Sequence, residues 1–147
     1  METYQATMED LEGVSQLFNA YRVFYKQASD EEAAKSYIRQ RLENKDSVIF
    51  VVKDNDTYVG FTQLYPTFSS VAMKRTWLLN DLYVAKEARK QGIAELLLNK
   101  AKEYAMETGA KSITLKTAQD NEPAQQLYYK HNYVRDTRFY HYELNVE

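Results

Sequence analysis

Asn80-Asp81-Leu82-Tyr83-Val84, followed by Arg89-Lys90-Gln91-Gly92-Ile93-Ala94, is the stretch whose reading decides the fold. It reads as a strand end, a turn and the start of an amphipathic helix. Ile93, Leu96, Leu97, Ala101 and Tyr104 recur at the helical period, and Gly109 is placed to cap the C-terminus. The first amides of a helix have no acceptor within it and lie at the positive end of its dipole, so a helix start can hold a phosphate without a dedicated side chain. Gly92 lets the backbone come close to such a group. Two common phosphate motifs are excluded. Gly92 is not followed by Lys-Ser or Lys-Thr, as a P-loop requires, and no G-x-G-x-x-G dinucleotide fingerprint occurs.

Working outward, Thr3 to Ala6 alternates like a short strand, and Met8 to Tyr25 carries Leu11, Val14, Leu17, Phe18 and Tyr21 at helical spacing. Ser29-Asp30-Glu31-Glu32 has the pattern of a capping box, with Ser29 accepting from the Glu32 amide, and predicts a second helix to about Glu43. Val48 to Val52 is a continuous apolar run, as in a strand covered on both faces. Asp54-Asn55-Asp56 is turn chemistry before a partner strand from Tyr58 to Tyr65. Pro66 to Lys74 reads as a loop, Arg75 to Val84 as the central strand, and Ser112 to Thr117 as a further strand. Pro123 suits the first turn of a short helix reaching about His131, and Tyr133 to Leu144 alternates as one or two final strands, with Tyr140, Tyr142 and Leu144 on one face. The order β-α-α-β-β-β-α-β-α-β predicts a mixed sheet with helices packed on it, in one domain spanning 1–147.

Composition narrows the function. The chain has 147 residues, 44 % hydrophobic and 27 % charged, which is globular composition. Its formal charge of −2 argues against a nucleic-acid partner, which wants a concentrated basic stripe. No apolar run approaches the roughly 20 residues of a membrane span, and Met1 to Met8 lacks the pattern of a signal peptide, so a cytoplasmic location away from membranes is expected. There is no cysteine, and His131 and His141 lack metal-ligand spacing, so no metal is expected.

Arg89-x-x-Gly92-x-Ala94, just past the Leu82-Tyr83-Val84 strand end, resembles the acyl-CoA binding motif of the GNAT superfamily of N-acetyltransferases. Asn121-Glu122-Pro123-Ala124-x-x-Leu127-Tyr128, ending in Asn132-Tyr133, is similar to that family's second conserved segment and follows at a suitable separation. The family usually has Gly-Phe where Asn132-Tyr133 stands; Asn tolerates the left-handed conformation that glycine would adopt. The resemblance implies a mixed, mostly antiparallel sheet of six to seven strands, splayed into a V between its central strands and flanked by about four helices. It implies acetyl-CoA as co-substrate. Lys90, Gln91, Gly92, Ile93 and Ala94 would take the pyrophosphate through their amides, Arg89 and Lys90 would add charge, and the pantetheine arm would lie along Leu82, Tyr83 and Val84. Asn121 and Tyr128 would complete the cofactor-binding set.

Tyr128 is the expected general acid, with Tyr129 as the neighbour that cannot face the same way, being about 100° around the helix. Asp81 is expected to attract the cationic acceptor and anchor a water chain to solvent, with direct base catalysis as the alternative, because a carboxylate near pKa ~4 is a poor partner for an alkylammonium proton unless burial raises it, and Asn80 stands where the similar diamine acetyltransferases carry a carboxylate. A lysine-like amine near pKa ~10.4 must lose a proton before it attacks, and a thiol near ~8.5 must gain one from a tyrosine near ~10, which is uphill by only about 2 kcal/mol. The Leu82 amide is the expected donor to the thioester oxygen. With no cysteine to act as nucleophile, direct attack in a ternary complex is expected.

For the acceptor, Tyr21, Phe24 and Tyr25 precede the acidic Asp30-Glu31-Glu32 turn, and Tyr65 and Phe68 flank the Pro66 loop. Aromatics beside carboxylates hold alkyl ammonium groups, so a small polyamine or diamine is preferred. A lysine side chain or basic protein tail is the second reading. A catalytically silent acyl-CoA binding module, and a partner-binding domain whose loop holds nothing, are the remaining ones. The tyrosine-rich C-terminal segment suggests a homodimer.

Overall fold

The apolar run beginning at Val48 becomes an inner strand of a five-stranded sheet in the computed structural model, which describes residues 1–147. The chain forms two compact units, Met1–Lys116 and Thr117–Glu147. The first contains the whole sheet, in the order β1 (Glu2–Gln5), β2 (Val48–Asp54), β3 (Thr57–Ser69), β4 (Lys74–Val84), β5 (Ile113–Thr114). The first four strands pair antiparallel, and β4 pairs β5 in parallel. Between β1 and β2 run the helices α1 (Leu11–Phe24) and α2 (Glu31–Asn44), and α3 (Ile93–Glu107) makes the crossover from β4 to β5.

Strand β2 shows why its sequence does not alternate. Ile49 and Val51 join a core cluster with Leu11, Val14, Leu17 and Phe18 of α1 and Ala34 and Ile38 of α2. On the opposite face Phe50 meets the Tyr104 ring of α3, with centroids 5.4 Å apart. A strand covered on both faces needs apolar residues at every position. Gly60 on β3 is required by close approach. A Cβ there would come within 2.8 Å of Ile93 Cγ2 and 3.2 Å of the Tyr83 carbonyl oxygen, so glycine lets the first turn of α3 sit against the sheet.

Several expectations change. Pro66 to Ser69 continue β3 and pair with β4 as far as Ser69↔Lys74; Pro66 is accommodated at Pro66↔Trp77. The α2 N-cap is Asp30, whose carboxylate accepts from the Ala33 amide at 3.0 Å. Ser29 is not the cap because Asn19 of α1 engages this turn from both sides, donating to Ser29 Oγ at 3.0 Å and accepting from the Asp30 amide at 2.9 Å. The true capping box is Thr7 with Asp10, ahead of α1.

The sheet has five strands, not six to seven. Ser112 to Thr117 contributes only Ile113–Thr114 as strand, and Tyr133 to Leu144 forms none. A strand exists by its ladder, and the alternation of Tyr140, Tyr142 and Leu144 has no buried face to serve: these residues are 90 %, 92 % and 85 % exposed. The second unit is built on α4 (Glu122–Lys130), with Asn121 as its N-cap. Asn132 follows at φ +69°, the left-handed conformation expected of it.

Candidate active site

Asp81 owes its position to an irregularity in one strand. The β3–β4 register runs Gln63↔Asp81 and then Leu64↔Leu79, so Asn80 is an extra residue on β4, a β-bulge. Trp77 lies against Tyr104 of α3, centroids 5.3 Å apart, and Leu79 is two residues on, toward the same layer. Without the bulge, Asp81 would follow Leu79 to that side. With it, Asp81 stands opposite Gln63 on the face that carries Phe61 and Tyr65, toward α1 and α2.

There Asp81 is 4 % exposed. Gln63 Nε2 donates to its Oδ2 at 2.9 Å and Asn80 Nδ2 to its Oδ1 at 3.1 Å. Burial raises its pKa above the ordinary carboxylate value, while hydrogen bonds from Gln63, Tyr21 and Asn80 pull the other way without cancelling it. Behind Gln63, Ser47 Oγ donates to Gln63 Oε1 at 2.8 Å. Farther along this face the hydroxyls of Tyr65 and Tyr37 share a hydrogen bond of 2.6 Å, and burial, that bond and the Asp81 charge all raise the Tyr65 pKa. Gln63, Ser47 and Tyr37 are additions to the residues legible in sequence. The signal for Gln63 was a polar amide between Phe61 and Leu64, beside Thr62, inside a strand segment otherwise built for the core.

Beyond the bulge one edge of β4 is open. The ladder to β5 covers only Trp77 and Leu78. The Ala85 amide donates to the Val59 carbonyl at 2.8 Å, so by antiparallel alternation Tyr83 shares main-chain bonds with β3 while Leu82 and Val84 turn theirs the other way. At the end of that edge Arg89 Nε donates to the Val84 carbonyl at 3.2 Å. The Arg89 guanidinium lies 5.2 Å from the Phe24 ring centroid and 5.8 Å from that of Tyr83.

The turn into α3 uses left-handed backbone twice, at Lys90 (φ +64°) and Gly92 (φ +78°). Gly92 is the N-cap of α3 and supplies no side-chain cap; a Cβ added there meets nothing within 4 Å. Lys90, Gln91 and Gly92 are exposed, Ile93 is buried in the core and Ala94 is half-buried. A helix start with uncapped amides and open space over its glycine fits a phosphate group.

Of the acceptor candidates, Tyr21 reaches this face. Its ring lies 5.8 Å from Phe61 and 6.0 Å from Tyr83, and its hydroxyl donates to the Asn80 carbonyl at 3.4 Å. Phe24 and Tyr25 stack edge to face at 5.3 Å and are largely exposed. Asp30, Glu31 and Glu32 open α2, where Asp30 is occupied as the cap. Phe68 is exposed and carries the Arg75 guanidinium 4.9 Å from its ring centroid.

In the second unit Asn121 Oδ1 accepts from the Ala124 amide at 3.3 Å, so this side chain is also the α4 cap. Tyr128 is half-buried with its ring 5.8 Å from that of Tyr133, whose pKa is pushed up to about 12 by burial and by the Tyr128 charge. Tyr129 is 78 % exposed.

Comparison with known proteins agrees with this geometry. A model of the acetyltransferase (GNAT) family matches residues 12–133. The chain is 49 % identical over 146 residues to the uncharacterized N-acetyltransferase YhfO of Bacillus subtilis, covering 99 % of this chain and 98 % of that one. It is 31 % identical over 121 residues to a probable acetyltransferase of Haemophilus influenzae, covering 82 % and 83 %. A solved structure, that of a probable acetyltransferase, superposes with a TM-score of 0.95 at 42 % identity, covering 100 % of this chain and 99 % of that one. The chain belongs to the GNAT family of N-acetyltransferases, enzymes that take the acetyl group from acetyl-CoA. No helix is long and apolar enough to cross a membrane, and no cluster of three or more His, Cys, Asp or Glu is placed to hold a metal ion.

Proposed function

We propose that the chain acetylates a primary amine, with a small polyamine or diamine as acceptor, by direct attack in a ternary complex. The observation that carries this reading is Asp81, a buried carboxylate with a raised pKa at the bulge where one edge of β4 opens. An ordinary carboxylate near pKa ~4 is a weak acceptor for an alkylammonium proton, and burial narrows that gap. Asp81 accordingly attracts the cation and accepts its proton, and Tyr21, whose hydroxyl reaches the Asn80 carbonyl, borders the acceptor. Phe24 and Tyr25 extend this aromatic surface, although the Arg89 guanidinium already lies against Phe24.

Acetyl-CoA supplies the thioester. Lys90 to Ala94 hold its pyrophosphate, a role supported by the uncapped helix start and the open space over Gly92. The Leu82 and Val84 main chain aligns the pantetheine arm, with the Leu82 amide donating to the carbonyl oxygen as charge develops there. Arg89 shapes the loop through its bond to the Val84 carbonyl and adds positive charge near the phosphates. Tyr128 gives a proton to the departing thiolate, and Asn121 contributes its amide to the pantetheine while capping α4.

The test is thiol release from acetyl-CoA with polyamines, amino acids and lysine peptides, for the wild type and Asp81→Asn. Polyamines should give the highest kcat/KM, and Asp81→Asn should lower it by about 10²-fold while CoA still raises the melting temperature. Turnover with lysine peptides alone would overturn the acceptor, and wild-type turnover by Asp81→Asn would overturn the role of the carboxylate.

A further inference from the structure

Gln63 is fully buried on β3 although it is polar, and both ends of its amide are engaged. A carboxylate can only accept, so the Gln63 amide must turn Nε2 to Asp81 Oδ2, at 2.9 Å, and Oε1 away from it. Oε1 then needs a donor, and Ser47, ahead of β2, provides one at 2.8 Å. Without that hydroxyl the amide would be free to turn over and present Oε1 to the carboxylate, opposing its charge. Ser47 also lines a cleft of about 280 Å³ with Lys45, Arg75 and Trp77, so the chain of bonds starts at the protein margin and ends at a buried acid.

We propose that Ser47 and Gln63 are positioning residues that together hold Asp81 in its ionised, proton-accepting form. The inference rests on the role given to Asp81 above. It assigns work to two residues that touch neither substrate nor reacting atoms. Other groups face the same carboxylate or its neighbours: Tyr21 from α1, Asn80 from β4 itself, and Tyr65 from β3, which in turn meets Tyr37 and Arg41 of α2. Ser47 and Gln63 differ from these in forming one continuous line of donors directed at Oδ2.

The experiment uses the full chain and two readouts: the pH profile of kcat/KM with acetyl-CoA and the best amine, and a carbon-13 NMR titration of the Asp81 carboxyl group. A hydrogen bond donated to a carboxylate favours its charged form, so losing it raises the pKa. In Ser47→Ala and in Gln63→Met, the acidic limb and the NMR midpoint should both move up by about one pH unit. Ser47→Thr, which keeps the hydroxyl, should return both to wild-type values, which simple loosening of the fold would not do. CoA should raise the melting temperature of every variant as it does the wild type. An unmoved midpoint in Ser47→Ala and Gln63→Met overturns the proposal. Ser47→Ala alters only the half-buried end of the line and keeps the test usable if Gln63→Met does not fold. Should Asp81→Asn prove fully active, the role of Asp81 fails, while the NMR midpoint still decides whether Ser47 and Gln63 govern its charge.

Discussion

Asp81 and Asp10 are both buried, yet their surroundings drive them in opposite directions. At Asp10 burial alone would raise the pKa, but Tyr4 and Tyr58 each donate to Oδ1 at 2.6 Å, the Thr7 amide donates to Oδ2 at 2.9 Å, and the balance is a lowered value. At Asp81 three donors, Gln63, Tyr21 and Asn80, also lower the value, but no cation adds to them as Lys53 does at Asp10, and burial prevails. The acid proposed to take up a proton is the one whose burial outweighs its hydrogen bonds. Two residue-scale predictions follow from the rest of the site. Tyr128→Phe should cut kcat by about 10²-fold or more without weakening CoA, read from steady-state rates and CoA-dependent melting. Gly92→Val places a β-branched residue at φ +78° and fills the space over the helix start, so it should lower stability by about 1–2 kcal/mol and CoA affinity more steeply, read by calorimetry. These residues were legible because the loop and the α4 motif are contiguous in sequence. Gln63 and Ser47 were not, because their partner is set by strand register.

At the scale of the element, the bulge is decisive. Local sequence marks Asn80-Asp81 as polar residues at a strand end, but which face Asp81 takes depends on one inserted residue, and a shift of one reverses every side chain. The same dependence explains Pro66 to Ser69, which reads as a loop until pairing with Lys74 to Trp77 makes it strand. Element termini were readable only in part: Pro123 lies in the first turn of α4 as its residue type suggests, but the α2 cap falls on Asp30 and not Ser29 because Asn19 of α1 engages that turn. Asn121 allows two roles to be separated: Asn121→Ala should cost α4 about 1 kcal/mol, whereas Asn121→Asp keeps an accepting oxygen and should hold the melting temperature, so a fall in CoA affinity in the Asp variant reports the binding role alone. Gly60→Ala should destabilise by about 1–3 kcal/mol, measured by denaturant unfolding, because its Cβ would press on Ile93 and the Tyr83 carbonyl.

For the whole molecule the two acids predict opposite dependences of stability on pH. Asp10 has its pKa lowered by folding, so it contributes stability above its unfolded value, near ~3.9, and that contribution is lost as pH falls through the lower folded value. Asp81 has its pKa raised, so its ionisation costs stability above the folded value; the cost shrinks as pH falls through that value and is gone below the unfolded one, near ~3.9. Asp10→Asn should therefore lower the melting temperature at pH 7 and converge on the wild type in acid. Asp81→Asn should raise it at pH 7 while activity falls, a trade between stability and function. The sequence by itself determined the family, the helix start at Gly92, the helices and the inner strands, because periodicity and contiguous motifs are properties of neighbours along the chain. Only the tertiary structure decided that the sheet stops at five strands, that β4 lies open beyond Leu78, and that Asp81 faces Gln63, with Ser47 bonded behind it. Each of these rests on which strand lies beside which and in what register, and on the burial that results, and those are relations between residues far apart in the chain.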